Sequence, residues 1–221
     1  MPKSTPIMQS TRLTVNESLI QYLTTVRWSD SSVAKSHDRL QPPFCYGRHR
    51  GPCYGNTRHA GVLILLDGEG QELSVTLTKR SASLQHHASQ ISFPGGGVEA
   101  GESWQMAAIR ETQEEIGIHA DAILVIAALE PVFVYRSGNL MFPFVATCTK
   151  DSDLKNDIRE VDTTFSVKLS ELRAGFGMYA DLAYSWKPVA VPGFYIAEGV
   201  IWGATAMVLS QLLSILDDYT G

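Results

Sequence analysis

Four glutamates cluster around one glycine-led loop: Gly95, Gly96 and Gly97 are followed by Glu102, then by Glu111, Glu114 and Glu115. Carboxylate oxygens are hard donors of the kind that magnesium or manganese accepts, with water and substrate phosphate completing the shell. At about 100° per residue, Glu111, Glu114 and Glu115 fall within roughly a third of a helix circumference. Like charges at those spacings repel by about 0.2 to 0.5 kcal/mol per pair on an isolated helix. The cluster is therefore either a solvated acidic face or a place where a cation offsets the repulsion. Glycines ahead of it allow the backbone angles and the close approach that a phosphate needs.

The flanking residues decide between those readings. From Gly96 the chain runs five residues to Glu102, seven more to Arg110-Glu111, then to Glu114-Glu115, Gly117 and the apolar Ile118. This pattern resembles the Nudix box; one slot that is usually aliphatic holds Thr112, whose hydroxyl needs a partner if buried. The resemblance implies a hydrolase that cuts a diphosphate with Mg2+ or Mn2+. Residue by residue, it implies that Glu111, Glu114 and Glu115 bind the metal directly or through water, with the backbone carbonyl near Gly95 or Gly96 as a further ligand. Arg110 would hold Glu111, since its fork can grip a carboxylate in bidentate fashion. Glu102 would act from the loop, either toward the metal or by closing the loop against the helix. The base that takes the water's proton is to be found among Glu114, Glu115 and Glu160.

A second signature precedes the box. Leu77, Thr78, Arg80, Ser81, Leu84, His87, Ala88, Gln90 and Phe93-Pro94-Gly95-Gly96 resemble the motif of coenzyme A pyrophosphatases, a Nudix subgroup. Two positions depart: the subgroup has a basic residue where Gln85 stands and glycine where Ser89 stands. Similarity continues through Leu129-Glu130-Pro131-Val132, Ser137-Gly138-Asn139, Phe142-Pro143-Phe144-Val145, Arg159-Glu160-Val161 and Ile201 to Ala206, so that it spans about residues 60 to 216. The subgroup resemblance implies cleavage of coenzyme A or a derivative to adenosine 3′,5′-bisphosphate and 4′-phosphopantetheine. Gln85 and Ser89 favour the alternative of another nucleoside diphosphate derivative, such as ADP-ribose or a dinucleotide. A non-catalytic Nudix-like sensor would have lost box glutamates, and all are present. Lys79 and Arg80 are candidate phosphate contacts, because a substrate with several phosphates needs fixed positive charge nearby. His86 and His87 stand side by side with no other histidine at ligand spacing, which argues against zinc.

These residues need elements to hold them. Ser103 as a cap and Gly117 as a stop predict a helix over residues 104–116. His59 to Leu66 and Leu73 to Lys79 flank Asp67-Gly68-Glu69-Gly70, a hairpin signal. Further strands are expected at about 123–129, 132–135, 140–148 and 163–168. Together they predict an α/β fold, a mixed sheet between helices in an α/β/α sandwich, which the Nudix resemblance also implies. Val200 to Leu216 carries no charge but falls short of the ~20 apolar residues of a span, so it reads as a buried terminal helix with Asp217 and Asp218 at its exit. Asn16 to Val26 has the spacing of a short helix. Residues 29–57, rich in Ser, Pro, Gly, Arg and His, read as a loop or linker. Residues 1–57 are thus expected to be an extension and 58–221 the hydrolase domain. Arg48, His49, Arg50, Arg58 and His59 form a basic cluster that either steers phosphate or simply faces water.

Composition narrows the setting. With 44% hydrophobic residues in 221, the chain can bury a core in one domain plus an extension. A net charge of −5 argues against nucleic-acid binding through a broad basic face. The three cysteines, Cys45, Cys53 and Cys148, form neither an even set nor a close pair, and the first residues lack the apolar run of a secretory signal, so a reducing, cytoplasmic compartment is expected. The partner expected is a small-molecule substrate, with no nucleic acid and no membrane.

Overall fold

The run Val62 to Leu66 contains no polar residue because both of its faces are covered. The computed structural model describes residues 14–26, 30–43, 51, 57–82, 89–135, 137–149, 154–182 and 189–219. In it, β1 (Arg58–Asp67) lies at the centre of an eight-stranded sheet. Side chains alternate across a strand: Leu63 and Leu65 enter one apolar cluster, while Val62, Ile64 and Leu66 enter another on the opposite face. β7 (Asn139–Cys148) runs parallel to β1, in register from Arg58 with Asn139 to Leu66 with Thr147. A parallel pair with both faces covered is what a helix layer on each side produces.

The remaining strands join antiparallel. β2 (Ser74–Arg80) closes the expected hairpin, with Leu66 opposite Val75 and Asp67 opposite Ser74. β3 (Ile91–Ser92) and β8 (Val161–Lys168) pair with β2; β4 (Gly95–Gly97) pairs with β1; β5 (Ile123–Ala128) and β6 (Val132–Val134) pair with β7. The sheet is mixed, as expected from the sequence.

One face carries α3 (Trp104–Ile116), which packs Ala108 and Ile116 against Leu63, Leu65, Phe144 and Ala146. Its ends follow the sequence signals. The Ser103 hydroxyl accepts from the Met106 amide at 3.2 Å, and Gly117 takes φ +78° as its amide donates to Gln113. Gly61 explains how closely this helix lies. A Cβ there would collide with the backbone carbonyl of Trp104, so only glycine lets α3 rest on β1. Thr112 is fully buried and its hydroxyl donates to the Ala108 carbonyl at 2.7 Å, which satisfies the polar group in the aliphatic slot.

The other face carries α5 (Gly203–Leu216) and α1 (Glu17–Thr25), with a second, antiparallel sheet of β9 (Phe176–Leu182), β10 (Val189–Ile196) and β11 (Gly199–Trp202). The short α4 (Leu169–Ala174) joins the two sheets in sequence. Leu209 and Leu212 are wholly buried here, each contributing about 1.5 to 3 kcal/mol of transfer free energy. α1, capped by Asn16, adds Leu19 and Leu23 to the same core. Helices therefore cover both faces, an α/β/α sandwich. Among the described residues no helix is long and apolar enough to cross a membrane.

Two expectations are corrected. Residues 29–57 do not form a continuous loop, because α2 (Asp30–Leu40) packs along α5. Val33, Ser36, His37 and Leu40 are its buried stripe, and His37 Nε2 lies 3.2 Å from Gln211 Oε1. The terminal helix begins at Gly203 rather than Val200. Residues 199–202 pair instead with β10, from Gly193 with Trp202 to Ile196 with Gly199, because a sheet edge there offers the backbone ladder bonds. Arg48, His49, Arg50, Leu84, Gln85, His86, His87, Ala88, Cys45 and Cys53 lie outside the described residues.

Candidate active site

α3 and the glycine strand β4 meet edge to edge, and the box residues line that seam. Arg110 is its hub. Its Nε and Nη2 donate to the two oxygens of Glu102 at 3.2 and 2.9 Å, Nη1 donates to Glu111 at 2.9 Å and Glu114 at 3.1 Å, and Nη2 also reaches the Gly97 carbonyl at 2.9 Å. Glu102 in turn accepts the Glu99 amide at 2.7 Å. In this arrangement the Glu102 carboxylate links the loop to the helix. Both its oxygens are engaged there, and these bonds hold its carboxyl below the usual carboxylate range.

Glu115 is the deepest acid among the described residues, only 3% exposed. Its Oε2 accepts the Gly95 amide at 3.0 Å, and its Oε1 lies 3.7 Å from Arg80 Nη1. Burial outweighs both contacts and pushes its carboxyl up to about 7. Glu111, half-buried, is also raised by burial, with Arg110 opposing the rise. Its carboxylate rests against Gly96, where any Cβ would strike it. Glu160 belongs to the same electrostatic unit: its charge raises both Glu111 and Glu115. The chain fixes it there through two backbone bonds, Ser81 N–H to its carbonyl at 2.8 Å and its own N–H to Asp157 at 3.0 Å. Asp157 is gripped by Arg159, which drives its carboxyl down to about 2.

The sequence candidates thus divide. Glu102, Arg110, Glu111, Glu114, Glu115, Gly95, Gly96, Arg80 and Glu160 share one region. Lys79 does not turn into it; its ammonium donates to the Glu198 carbonyl at 3.2 Å, in the turn between β10 and β11. Arg58 donates to the Ser137 carbonyl at 3.3 Å, and His59 accepts from the Trp104 indole at 3.2 Å. Trp104 stacks on Phe142, centroids 3.7 Å apart, an aromatic pair whose aromatic spacing alone gave no signal because the two rings lie on a helix and a distant strand.

Beside Gly95–Gly97 opens a cavity of about 460 Å³. Arg80 lines it and also faces Glu115, so one guanidinium connects the cavity to the acids. Phe93, Met141, Trp202 and Met207 give it apolar walls. Sequence patterning gave no hint of this space, since its walls come from β1, β4, β7 and the start of α5 together.

A divalent cation fits this donor set. Every group is a hard oxygen, the acids raise one another, and Gly96 leaves room for Glu111 to lie against backbone. Among the described residues no three acidic, His or Cys side chains already stand as a cage; the carboxylates rest on Arg110, Arg80 and the Gly95 amide.

The family model for the NUDIX domain matches residues 55–185. The chain belongs to the Nudix family. Nudix hydrolases are pyrophosphohydrolases acting on nucleoside diphosphate derivatives and use divalent metal ions. Among relatives, the uncharacterised Nudix hydrolase NudL of Photorhabdus laumondii is 33% identical over 159 residues, covering 71% of this chain and 84% of the relative. The peroxisomal coenzyme A diphosphatase ndx-8 of Caenorhabditis elegans is 37% identical over 115 residues, covering 51% of this chain and 49% of that protein. Nudix hydrolase 3 of the same organism is 28% identical over 172 residues, covering 70% of each.

Proposed function

We propose that this Nudix hydrolase cleaves the diphosphate linkage of coenzyme A or a derivative, releasing adenosine 3′,5′-bisphosphate and 4′-phosphopantetheine. The observation that carries this reading is the cavity beside Gly95–Gly97, joined by Arg80 to the buried Glu115 and large enough for one arm of such a substrate. The relative named as a coenzyme A diphosphatase supports it, as does the motif from Leu77 to Gly96.

Glu111, Glu114 and Glu115, with the Gly96 carbonyl, would hold Mg2+ or Mn2+, which when bound neutralises phosphate oxygens and makes a water nucleophilic at neutral pH. Arg110 and Glu102 hold the loop so that Glu111 and Gly96 stay in contact. Arg80, which lies 3.7 Å from Glu115 and lines the cavity, would present its guanidinium to a substrate phosphate there. Glu160, whose charge reaches Glu111 and Glu115 from the opposite loop, would accept the water's proton at its carboxylate. A cytoplasmic setting remains our reading from the cysteines.

A second reading, hydrolysis of ADP-ribose or a dinucleotide, rests on Gln85 standing where the subgroup has a basic residue. Mass spectrometry of products formed from coenzyme A in heavy-oxygen water separates the two. The expected result is adenosine 3′,5′-bisphosphate and 4′-phosphopantetheine, one of them labelled. Intact coenzyme A beside rapid cleavage of ADP-ribose would overturn the first reading.

A further inference from the structure

The cavity contains a polar group that the acid cluster leaves unused. Asn139 begins β7 in register with Arg58, and like Met141 two residues on it belongs to the sheet face away from α3. Both Asn139 and Met141 line the cavity. The Asn139 Oδ1 is closed to solvent and accepts no hydrogen bond. Buried acceptors are nearly always satisfied, so an orphan in a cavity wall marks a place where a ligand supplies the donor. The χ2 torsion of asparagine sits in a broad well, so a modest turn brings this oxygen into the open space.

Position says which part of a substrate would meet it. Val62 is the register partner of Gly95, whose amide holds Glu115, and Arg58 is that of Asn139. Four residue steps of strand separate Val62 from Arg58, about 13 Å at roughly 3.3 Å per residue. A group at Asn139 therefore belongs to an arm of the substrate well removed from the reacting phosphates. The cavity walls are mostly apolar, and the cation beside Asn139, Arg58, already donates to the Ser137 carbonyl at 3.3 Å, which suits an uncharged arm oriented by one polar contact.

We propose that Asn139 is a specificity-determining residue, whose Oδ1 accepts a hydrogen bond from a neutral N–H on the non-reacting arm of the substrate held in this cavity. This rests on the reading of the site as a diphosphate hydrolase. Two arms of a coenzyme A type substrate carry such a donor: the exocyclic amine of the base and the amides of the pantetheine chain.

The test compares the full chain with Asn139→Leu, in Mg2+, on coenzyme A, on 1,N6-ethenocoenzyme A, whose base lacks the free amine, and on ADP-ribose, which lacks the pantetheine chain. Asn139→Leu should unfold at the same temperature as the parent or higher, because an apolar group of similar size replaces an unsatisfied acceptor. It should lose about 10- to 100-fold in kcat/KM, mostly through KM, on substrates that carry the donor. Equal losses on coenzyme A and ADP-ribose, with the etheno compound already poor for the parent, assign the base amine. Equal losses on both coenzyme A compounds, with ADP-ribose unaffected, assign the pantetheine amide. Activity within about twofold of the parent on every compound turned over would overturn the proposal. Asn139→Ala serves the same comparison if the leucine does not pack. If the parent cuts none of the three, the hydrolase reading fails separately, and calorimetry with the same compounds decides on Asn139. Weaker binding by the variant supports the contact; equal binding, or none by the parent, overturns it.

Discussion

Glu115 Oε2 accepts the Gly95 amide hydrogen at 3.0 Å, tying α3 to the glycine strand that borders the cavity. That bond places a carboxylate in a site only 3% exposed, with Arg80 as its nearest cation at 3.7 Å. A buried acid so held is stabilising only when enough positive charge surrounds it, and its carboxyl at about 7 records a shortfall.

Replacing Glu115 with Gln keeps its volume and removes its charge. Turnover should fall by more than about 100-fold while circular dichroism remains that of the parent. The metal-free protein also carries a pH signature. The folded carboxyl titrates near 7 against its ordinary 4.5, so between those values the folded chain holds a proton that the unfolded chain has released. Stability therefore falls as pH rises through that window, by up to about 3 kcal/mol. Melting curves from pH 5 to 8 (about that range) in chelator should show this decline in the parent and a flatter profile in Glu115→Gln. A parent whose stability rises over the same range would refute the assignment of that acid.

Ser89 lies at φ +59°, among the described residues a non-glycine in the left-handed region, and its amide donates to the Arg80 carbonyl at 3.1 Å. The turn that returns the chain toward β3 thus wants glycine, which is the residue the coenzyme A subgroup has there. Ser89→Gly should stabilise the protein by about 0.5 to 1 kcal/mol, the relief of the side-chain clash exceeding the added freedom of the unfolded chain. Urea unfolding with an unchanged slope would measure it. A loss of stability would mean that the serine hydroxyl makes a bond worth more than the strain.

The box helix could be read to the residue because two independent local signals agree, the Ser103 cap and the Gly117 stop at φ +78°. Six strands of the main sheet were legible because each is rich in apolar or β-branched residues and bounded by turns, whereas β3 and β4 were not: one is two residues long and the other is the three glycines read from sequence as a loop. α2 hid because two of its four inward positions, Ser36 and His37, are polar, although 33, 36, 37 and 40 carry helical spacing. β11 hid because an unbroken apolar run has no periodicity to separate a strand from a helix, and only Gly203 at φ +65° marks the junction. In the site, residue types announced Arg110 and its glutamates. Gly61, Asn139 and the stacked Trp104 and Phe142 gain their meaning from neighbours distant in sequence, which no local pattern reports.

Cys148 closes β7 in the cluster beneath α3. Burial, with the charge of Asp67 adding to it, pushes its thiol up to about 11. Only about one part in a thousand is thiolate at pH 8, and the sulfur is also shielded. Peptide mapping after iodoacetamide should find Cys148 unlabelled in the native protein over a time that labels it fully in denaturant. Rapid native labelling would show that the β5–β7 edge opens.

Arg110 makes five hydrogen bonds that no lysine can reproduce: two to Glu102 and one each to Glu111, Glu114 and Gly97. An ammonium has three donors at one point, so it can follow Glu102 or Glu111 but cannot span both. Arg110→Lys should therefore release either the loop or the acid. Because the pairs are partly exposed, global stability should change by no more than about 1 kcal/mol. Activity should fall by about 10- to 100-fold, with a rise in the Mg2+ concentration needed for half-maximal rate, since Glu111 is no longer held against Gly96. Arg110→Lys with parental metal dependence would show that Glu111 keeps its place without the guanidinium, and that Arg110 serves the loop alone.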